Sequence, residues 1–304
     1  MTSTLYYCDH HEIPLPEGHR FPVRKYRLLR ELLMGDGQFS FVAAPFAPVE
    51  TLKLAHDSEY VDQFLAGALP AQVQRRIGFP WSEQLVSRTL ASVGGTLAAA
   101  ARAIAFGFGG NLAGGTHHAF RNQGAGFCVF NDIAVAVHWL RKQHGLHRAA
   151  VIDLDVHQGD GTALIFEHDP NVLTLSVHGR KNFLFRKQRS KIDVELEDAV
   201  ADEEYLAAVE NVLPRVFEFV PKVIFYQSGV DPLDCDLLGR LAVTTDGLRH
   251  RDRLVLQACR AAHVPVVVTL GGGYGDPIER TAEAHANTLR IAHKLYAEGS
   301  QQLR

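Results

Sequence analysis

The stretch Ala149-Ala150-Val151-Ile152-Asp153-Leu154-Asp155-Val156-His157-Gln158-Gly159-Asp160-Gly161-Thr162 sets the reading of the whole chain. Its first four residues are apolar and β-compatible, which reads as a buried strand. Three aspartates and a histidine then fall between positions 153 and 160, followed by the helix-like Ala163-Leu164-Ile165-Phe166. On an extended segment Asp155 and His157, two apart, leave from the same face. One oxygen and one nitrogen ligand side by side at a strand end make half of a zinc site. Asp153 shares that face, close enough to orient a ligand from behind. A lone Asp-x-Asp more often marks a strand reaching solvent. The fuller cluster needs a partner such as a metal, because so many charges are costly to bury alone.

Outward from this stretch the chain alternates strand and helix. Upstream, Leu5-Tyr6-Tyr7 reads as a strand and Val23 to Leu33 as a helix stopped by Gly35. Phe39 to Val42 reads as a strand. Pro48 to Ala55 and Ser58 to Ala66 read as short helices, the second capped by Ser58. A long helix capped by Ser82 runs to about Phe106, and its Gly94-Gly95 pair marks a close backbone approach. A short strand is expected near Asn111 to Ala113, then a helix from Asn131 to Lys142. Downstream, strands at Val172–Val177, Val223–Gln227 and Val264–Leu270 alternate with helices at Asp202–Phe219, Asp246–Ala262 and Asp276–Ala297. This pattern points to an α/β fold, a parallel sheet covered on both faces, in one domain over residues 1–304. Ligands then collect at the carboxyl ends of the strands. Five loops bring polar or glycine-rich residues there: His117-His118, Asp153 to Asp160, Ser176-Val177-His178, Ser228 to Asp231, and Gly271-Gly272-Gly273-Tyr274.

Composition narrows the classes. The 304 residues are 46% hydrophobic with a formal net charge of −3, enough for a large core and without the basic face of a nucleic-acid binder. Cys8, Cys128, Cys235 and Cys259 are scattered, so no disulfide framework or zinc knuckle is indicated. The N-terminus has no basic stretch followed by an apolar core, and the apolar Leu97–Phe108 segment is interrupted by Arg102. The expectation is a cytoplasmic protein with no membrane span.

Asp231, after an apolar strand, is the candidate third metal ligand, although an aspartate before Pro232 also suits a turn. Adjacent His117 and His118 cannot comfortably share one metal, so acid–base work on a bound water is the better use. Asp153 and Asp160 are available to take their second ring N–H groups. Tyr274, presented on three glycines, is placed to donate to a developing oxyanion. The Gly271-Gly272-Gly273 run is not followed by the lysine of a phosphate loop.

These motifs resemble the histone deacetylase superfamily, which includes acetylpolyamine amidohydrolases and acetoin-utilisation proteins. The matching segments are Gly115 to Ala119, Gly126 to Asp132, Asp153 to Thr162, Gly229-Val230-Asp231 and Gly272-Gly273-Tyr274, in family order. Gln158, the stretch Arg186 to Ile192 and the stretch Asp231 to Gly239 are most similar to the class IV branch. The resemblance implies a three-layer α/β/α arginase/deacetylase-like fold with a mostly parallel eight-stranded sheet. It implies zinc on Asp155, His157 and Asp231, His118 with Asp160 as general base and acid, His117 with Asp153 tuning the charge beside it, and Tyr274 polarising the carbonyl. Potassium is implied near Asp153, Asp155, His157, Ser176 and Val177, and a second near Phe166, Asp169 and Val172. Gly126 and Phe127 match one wall of an acyl-lysine tunnel, with Phe183 and Phe185 competing for the other.

The expected activity is hydrolysis of N-acyl-lysine, on a protein or peptide, by water activated at zinc. Three rivals stand beside it. One is an acetylpolyamine or other small-acylamine amidohydrolase. Another is a two-manganese ureohydrolase, which needs more bridging carboxylates. The last is a non-catalytic, zinc-dependent acyl-lysine binding module.

Overall fold

The computed structural model describes residues 2–184 and 186–297. Eight strands form one sheet: β1 (Ser3–Tyr7), β2 (Phe39–Ala43), β3 (Phe108–Asn111), β4 (Ala149–Asp153), β5 (Val172–Gly179), β6 (Ile192–Leu196), β7 (Val223–Gln227) and β8 (Val266–Thr269). Their order is β2-β1-β3-β8-β7-β4-β5-β6, and every pairing is parallel. The central strands β4, β7 and β8 are buried at every position, as strands covered on both faces must be. Successive residues feed opposite cores. Ala150 and Ile152 of β4 enter one apolar cluster, whereas Ala149 and Val151 enter the other.

Helices supply both outer layers. On one face α1 (Arg24–Gly35), α8 (Asp202–Glu218), α9 (Thr245–Ala261) and α10 (Ile278–Ala297) bury Leu29, Tyr205, Val255 and Leu289. On the other, α5 (Glu83–Phe106) and α6 (Asp132–His144) bury Leu97 and Ile133. Three short helices, α2 (Val49–Leu52), α3 (Ser58–Leu65) and α4 (Ala71–Ile77), lead into α5, and α7 (Asp160–Ile165) follows β4. The architecture is three-layer α/β/α, the arginase/deacetylase fold.

Helix α5 has the length and apolar composition of a membrane span, yet it packs against β3, α6 and β8. A Cβ on Gly94 would lie 1.8 Å from Pro45 O and one on Gly95 2.6 Å from Asn111 Oδ1, so the glycine pair admits two neighbours. Ser82 caps α5 by accepting from Leu85 N. The cap of α3 is Asp57, not Ser58, and its side chain makes no capping bond. Strand β3 begins three residues earlier than the sequence pattern suggests, and β6 and α4 were not expected from it.

Candidate metal and acid–base site

The chain does not continue extended past Asp153; it bends through Asp155 to His157. The shared strand face expected for Asp155 and His157 is therefore corrected. Asp153 Oδ1 accepts from Asp155 N at 3.2 Å and Asp155 Oδ1 from His157 N at 3.0 Å. Each carboxylate catches an amide two residues ahead, the local bond by which aspartate makes turns. Loop curvature, rather than strand alternation, brings the two side chains together.

Asp231, four residues past the end of β7, completes the group. His157 Nδ1 lies 3.1 Å from both Asp155 Oδ1 and Asp231 Oδ2. One ligand atom from each of the three residues lies within 4.8 Å of the others. Backbone amides fix the outer oxygens: Val156 N donates to Asp231 Oδ1 at 2.8 Å and Gly272 N to Asp155 Oδ2 at 2.7 Å. Among the described residues no lysine or arginine ion-pairs with either carboxylate. Two buried carboxylates and an imidazole nitrogen, with no lysine or arginine paired to them, fit a divalent cation. Burial disfavours charge on His157, yet Asp155 and Asp231 hold its pKa up at about 10. Burial likewise opposes both carboxylates: Asp155, facing His117 and His157, stays well below the ordinary range, while Asp231 beside it is pushed up to about 7.

The histidine pair follows β3. Asp132 ties its loop down, accepting from Thr96 Oγ1, Gly115 N, Thr116 N and Thr116 Oγ1. His117 Nδ1 meets Asp153 Oδ2 at 2.7 Å, and His118 Nδ1 meets Asp160 Oδ1 at 2.6 Å. Both rings are buried, 4.1 Å apart by centroid. Their electrostatics diverge. Burial disfavours charge on His117, but Asp153 and Asp155 raise its pKa to about 9. Burial, with His117 alongside, lowers His118 to about 4. A neutral His118 that donates from Nδ1 to Asp160 presents an unprotonated Nε2.

Tyr274 sits on the loop after β8. Its ring lies 6.2 Å from Phe127 and 5.3 Å from Lys25 Nζ. Burial, then the charges of Asp155 and Asp231, keep its hydroxyl protonated, well above the ordinary phenol range. One cavity of about 290 Å³ is lined by Gly126, Phe127, Phe183, His118, His157 and Tyr274 among others. Phe183 meets His118 edge-on at 5.8 Å; Phe185 lies outside the described residues. A smaller chamber of about 80 Å³ runs inward past the histidines, between Tyr26, Leu85, Arg88 and Cys128.

Of the candidate potassium residues, only the first set adjoins this group. Asp153 is paired with Ser176 across β4 and β5, next to Val177. Phe166, Asp169 and Val172 follow one another through two backbone turns after α7.

The structure adds residues that the sequence did not single out. Lys25 is buried and donates to the carbonyls of Gly271 and Gly273, both at 3.2 Å. Asp236 accepts from the amides of Tyr274, Leu238 and Gly239. Arg251, fully buried, donates to the carbonyls of Gly229 and Ser228 and so fixes the turn before Asp231. A charged residue that survives in an otherwise apolar helical stripe, such as Lys25, is the available signal for such roles.

The fold and the grouping of these residues define an α/β protein of the arginase/deacetylase type. The histone deacetylase domain matches residues 19–290, and the chain belongs to the histone deacetylase family, whose reaction is hydrolysis of acetyl-amides. It is 44% identical over 300 residues to an uncharacterized protein of Picosynechococcus sp., covering 97% of this chain and 100% of the relative. It is 30% identical to histone deacetylase 2 of Arabidopsis thaliana, over 84% of this chain and 70% of the relative. It is also 32% identical to the acetoin utilization protein AcuC of Bacillus subtilis, over 85% and 73%.

Proposed function

We propose that this chain is a zinc-dependent amidohydrolase that removes acyl groups from N-acyl-lysine. The observation that carries the reading is one cavity where His118, His157 and Tyr274 converge, with Asp155 and Asp231 against His157. Zinc held by Asp155, His157 and Asp231 would supply a Lewis acid for the carbonyl and a lowered pKa for the attacking water. Neutral His118, oriented by Asp160, takes the proton of that water. Cationic His117, held by Asp153, stabilises negative charge as it develops nearby. The protonated Tyr274 hydroxyl donates to the tetrahedral oxyanion. His118 then returns its proton to the departing lysine amine. Opposite protonation of two adjacent rings is how one site keeps a base and a cation at neutral pH.

Further parts of the reading rest on the motifs. Gln158, which binds Gln188 of the following loop and Asp193 of β6, supports assignment to the class IV branch. Asp153, Asp155, His157, Ser176 and Val177 would hold one potassium and Phe166, Asp169 and Val172 a second. A cytoplasmic location fits the unpaired cysteines.

Turnover by zinc-loaded protein on lysine peptides bearing acetyl to myristoyl groups, with an acetylated polyamine alongside, tests the proposal. Turnover of the peptides supports it. Turnover of the polyamine alone moves the function to small acylamines. Zinc binding without turnover of any substrate favours a binding module. Tyr274→Phe should lower kcat by about 10²-fold or more; an unchanged kcat removes the oxyanion role.

A further inference from the structure

The mouth of the cavity carries charge that the reaction itself does not use. Arg20 and Arg76 line it together with Ile77, Phe127, Phe183 and Leu238, and no carboxylate is among its lining residues. Both arginines are exposed. Among the described residues neither forms an ion pair: Arg76 donates only to the neutral Gln123 Oε1, at 2.6 Å, and Arg20 makes no such contact. Nearby arginines are neutralised, Arg24 by Glu279 at 3.1 Å and Arg280 by Asp234 at 2.7 Å.

The backbone fixes where these two charges stand. The amides of Gly126 and Phe127 donate to the carbonyls of Arg76 and Ile77, tying the end of α4 to the tunnel wall. His19 Nε2 bonds the carbonyl of Gly78 at 2.8 Å, which fastens the Arg20 loop to the same edge. The rim is therefore held in register with Phe127.

We propose that this rim selects acyl-lysine peptides whose flanking residues carry carboxylates, and rejects acylated polyamines. The inference rests on the deacylase reading and names its substrate class. An acylated lysine side chain is neutral, so its methylene stem enters past Phe127 and Phe183 without a charge to oppose the arginines. The flanking residues stay at the mouth, where a carboxylate meets two unpaired guanidiniums. An acylated polyamine instead brings an ammonium along the same chain to those guanidiniums, a like-charge clash that works as rejection.

The test uses the zinc-loaded protein and one acetyl-lysine peptide flanked by Glu, by Gln or by Lys, with a monoacetylated triamine beside them. Binding of labelled peptides by anisotropy and turnover are followed separately. The Glu-flanked peptide should exceed the Lys-flanked one by roughly tenfold in kcat/KM, mainly through KM, and in affinity. The gap should shrink as salt rises from about 50 to about 500 mM. Arg20→Glu with Arg76→Glu should reverse the order, which general loss of structure cannot do. Equal binding of the three peptides, or an order unmoved by charge reversal, overturns the rim assignment and leaves the deacylase reading intact. Charge-ranked binding without any turnover supports the rim and removes the deacylase reading instead.

Discussion

The amide of Tyr274 donates to Asp236 Oδ2 at 2.6 Å, while Oδ1 of the same carboxylate accepts from Leu238 and Gly239 at 2.9 and 2.8 Å. One side chain thus fixes the backbone of the candidate oxyanion donor and the rim loop beside it. An asparagine there would turn an N–H toward one of these amides. Asp236→Asn should lower kcat by roughly tenfold while changing KM much less, since the misplaced group acts on the reacting centre. Steady-state kinetics decide it, and equal losses in both parameters would reduce Asp236 to general support.

The loop after β8 owes its sequence to what passes behind it. A Cβ on Gly272 would stand 2.0 Å from Asp231 Oδ2 and 2.8 Å from Asp155 Oδ2. Gly272→Ala should displace both carboxylates and weaken metal binding by about 10- to 100-fold. Metal content after dialysis measures this. Gly145→Ala is the control: its φ of +62° is strained for alanine, but nothing lies within 4 Å, so it should cost only stability. Full metal retention in Gly272→Ala would place the ligands elsewhere. The same crowding explains what the sequence concealed. Strand β3 contains Gly109 and Gly110, which read as breakers. They are strand residues because a Cβ on Gly109 would meet Ala99 O at 1.9 Å and one on Gly110 would meet Leu5 at 2.6 Å. Strand β6, at an edge, exposes Asp193 and Glu195 and offers no apolar run. The site's chemistry was legible at Asp155, His157 and Asp231 because charges at the ends of apolar strands stand out. Lys25 and Asp236 stand out less, since their work is done on backbone groups: Lys25 shows only as a charge within an apolar helical stripe, and Asp236 shows in no such pattern.

Across the whole molecule, buried neutral histidines couple folding to pH. Burial lowers His56 to about 4; its Nδ1 bonds Phe120 O and its Nε2 accepts from Asn131 N. His138 and His178 are also lowered to about 4, chiefly by burial. With folded pKa values below the unfolded 6.5, the unfolded chain binds more protons between pH 6.5 and 4. Stability from these groups is complete above pH 6.5 and is lost as pH falls through that window. His56 alone accounts for about 3 kcal/mol. Asp231, raised to about 7, works in the opposite sense over the same range, so the test is a comparison. The urea midpoint of His56→Gln should fall less between pH 7 and pH 4.5 than that of the parent protein, and an equal fall would contradict neutral burial of His56.

Strand order has a consequence for how the protein comes into being. β8 lies between β3 and β7 in the sheet, yet of these eight strands it is the last to leave the ribosome. Until residues 266–269 emerge, the two halves β2-β1-β3 and β7-β4-β5-β6 have no strand to join them. His117 and His118 belong to the first half, and Asp155, His157 and Asp231 to the second. Until then the nascent chain holds its three metal-ligand candidates in one half and the two histidines in the other, with two open sheet edges awaiting one four-residue keystone.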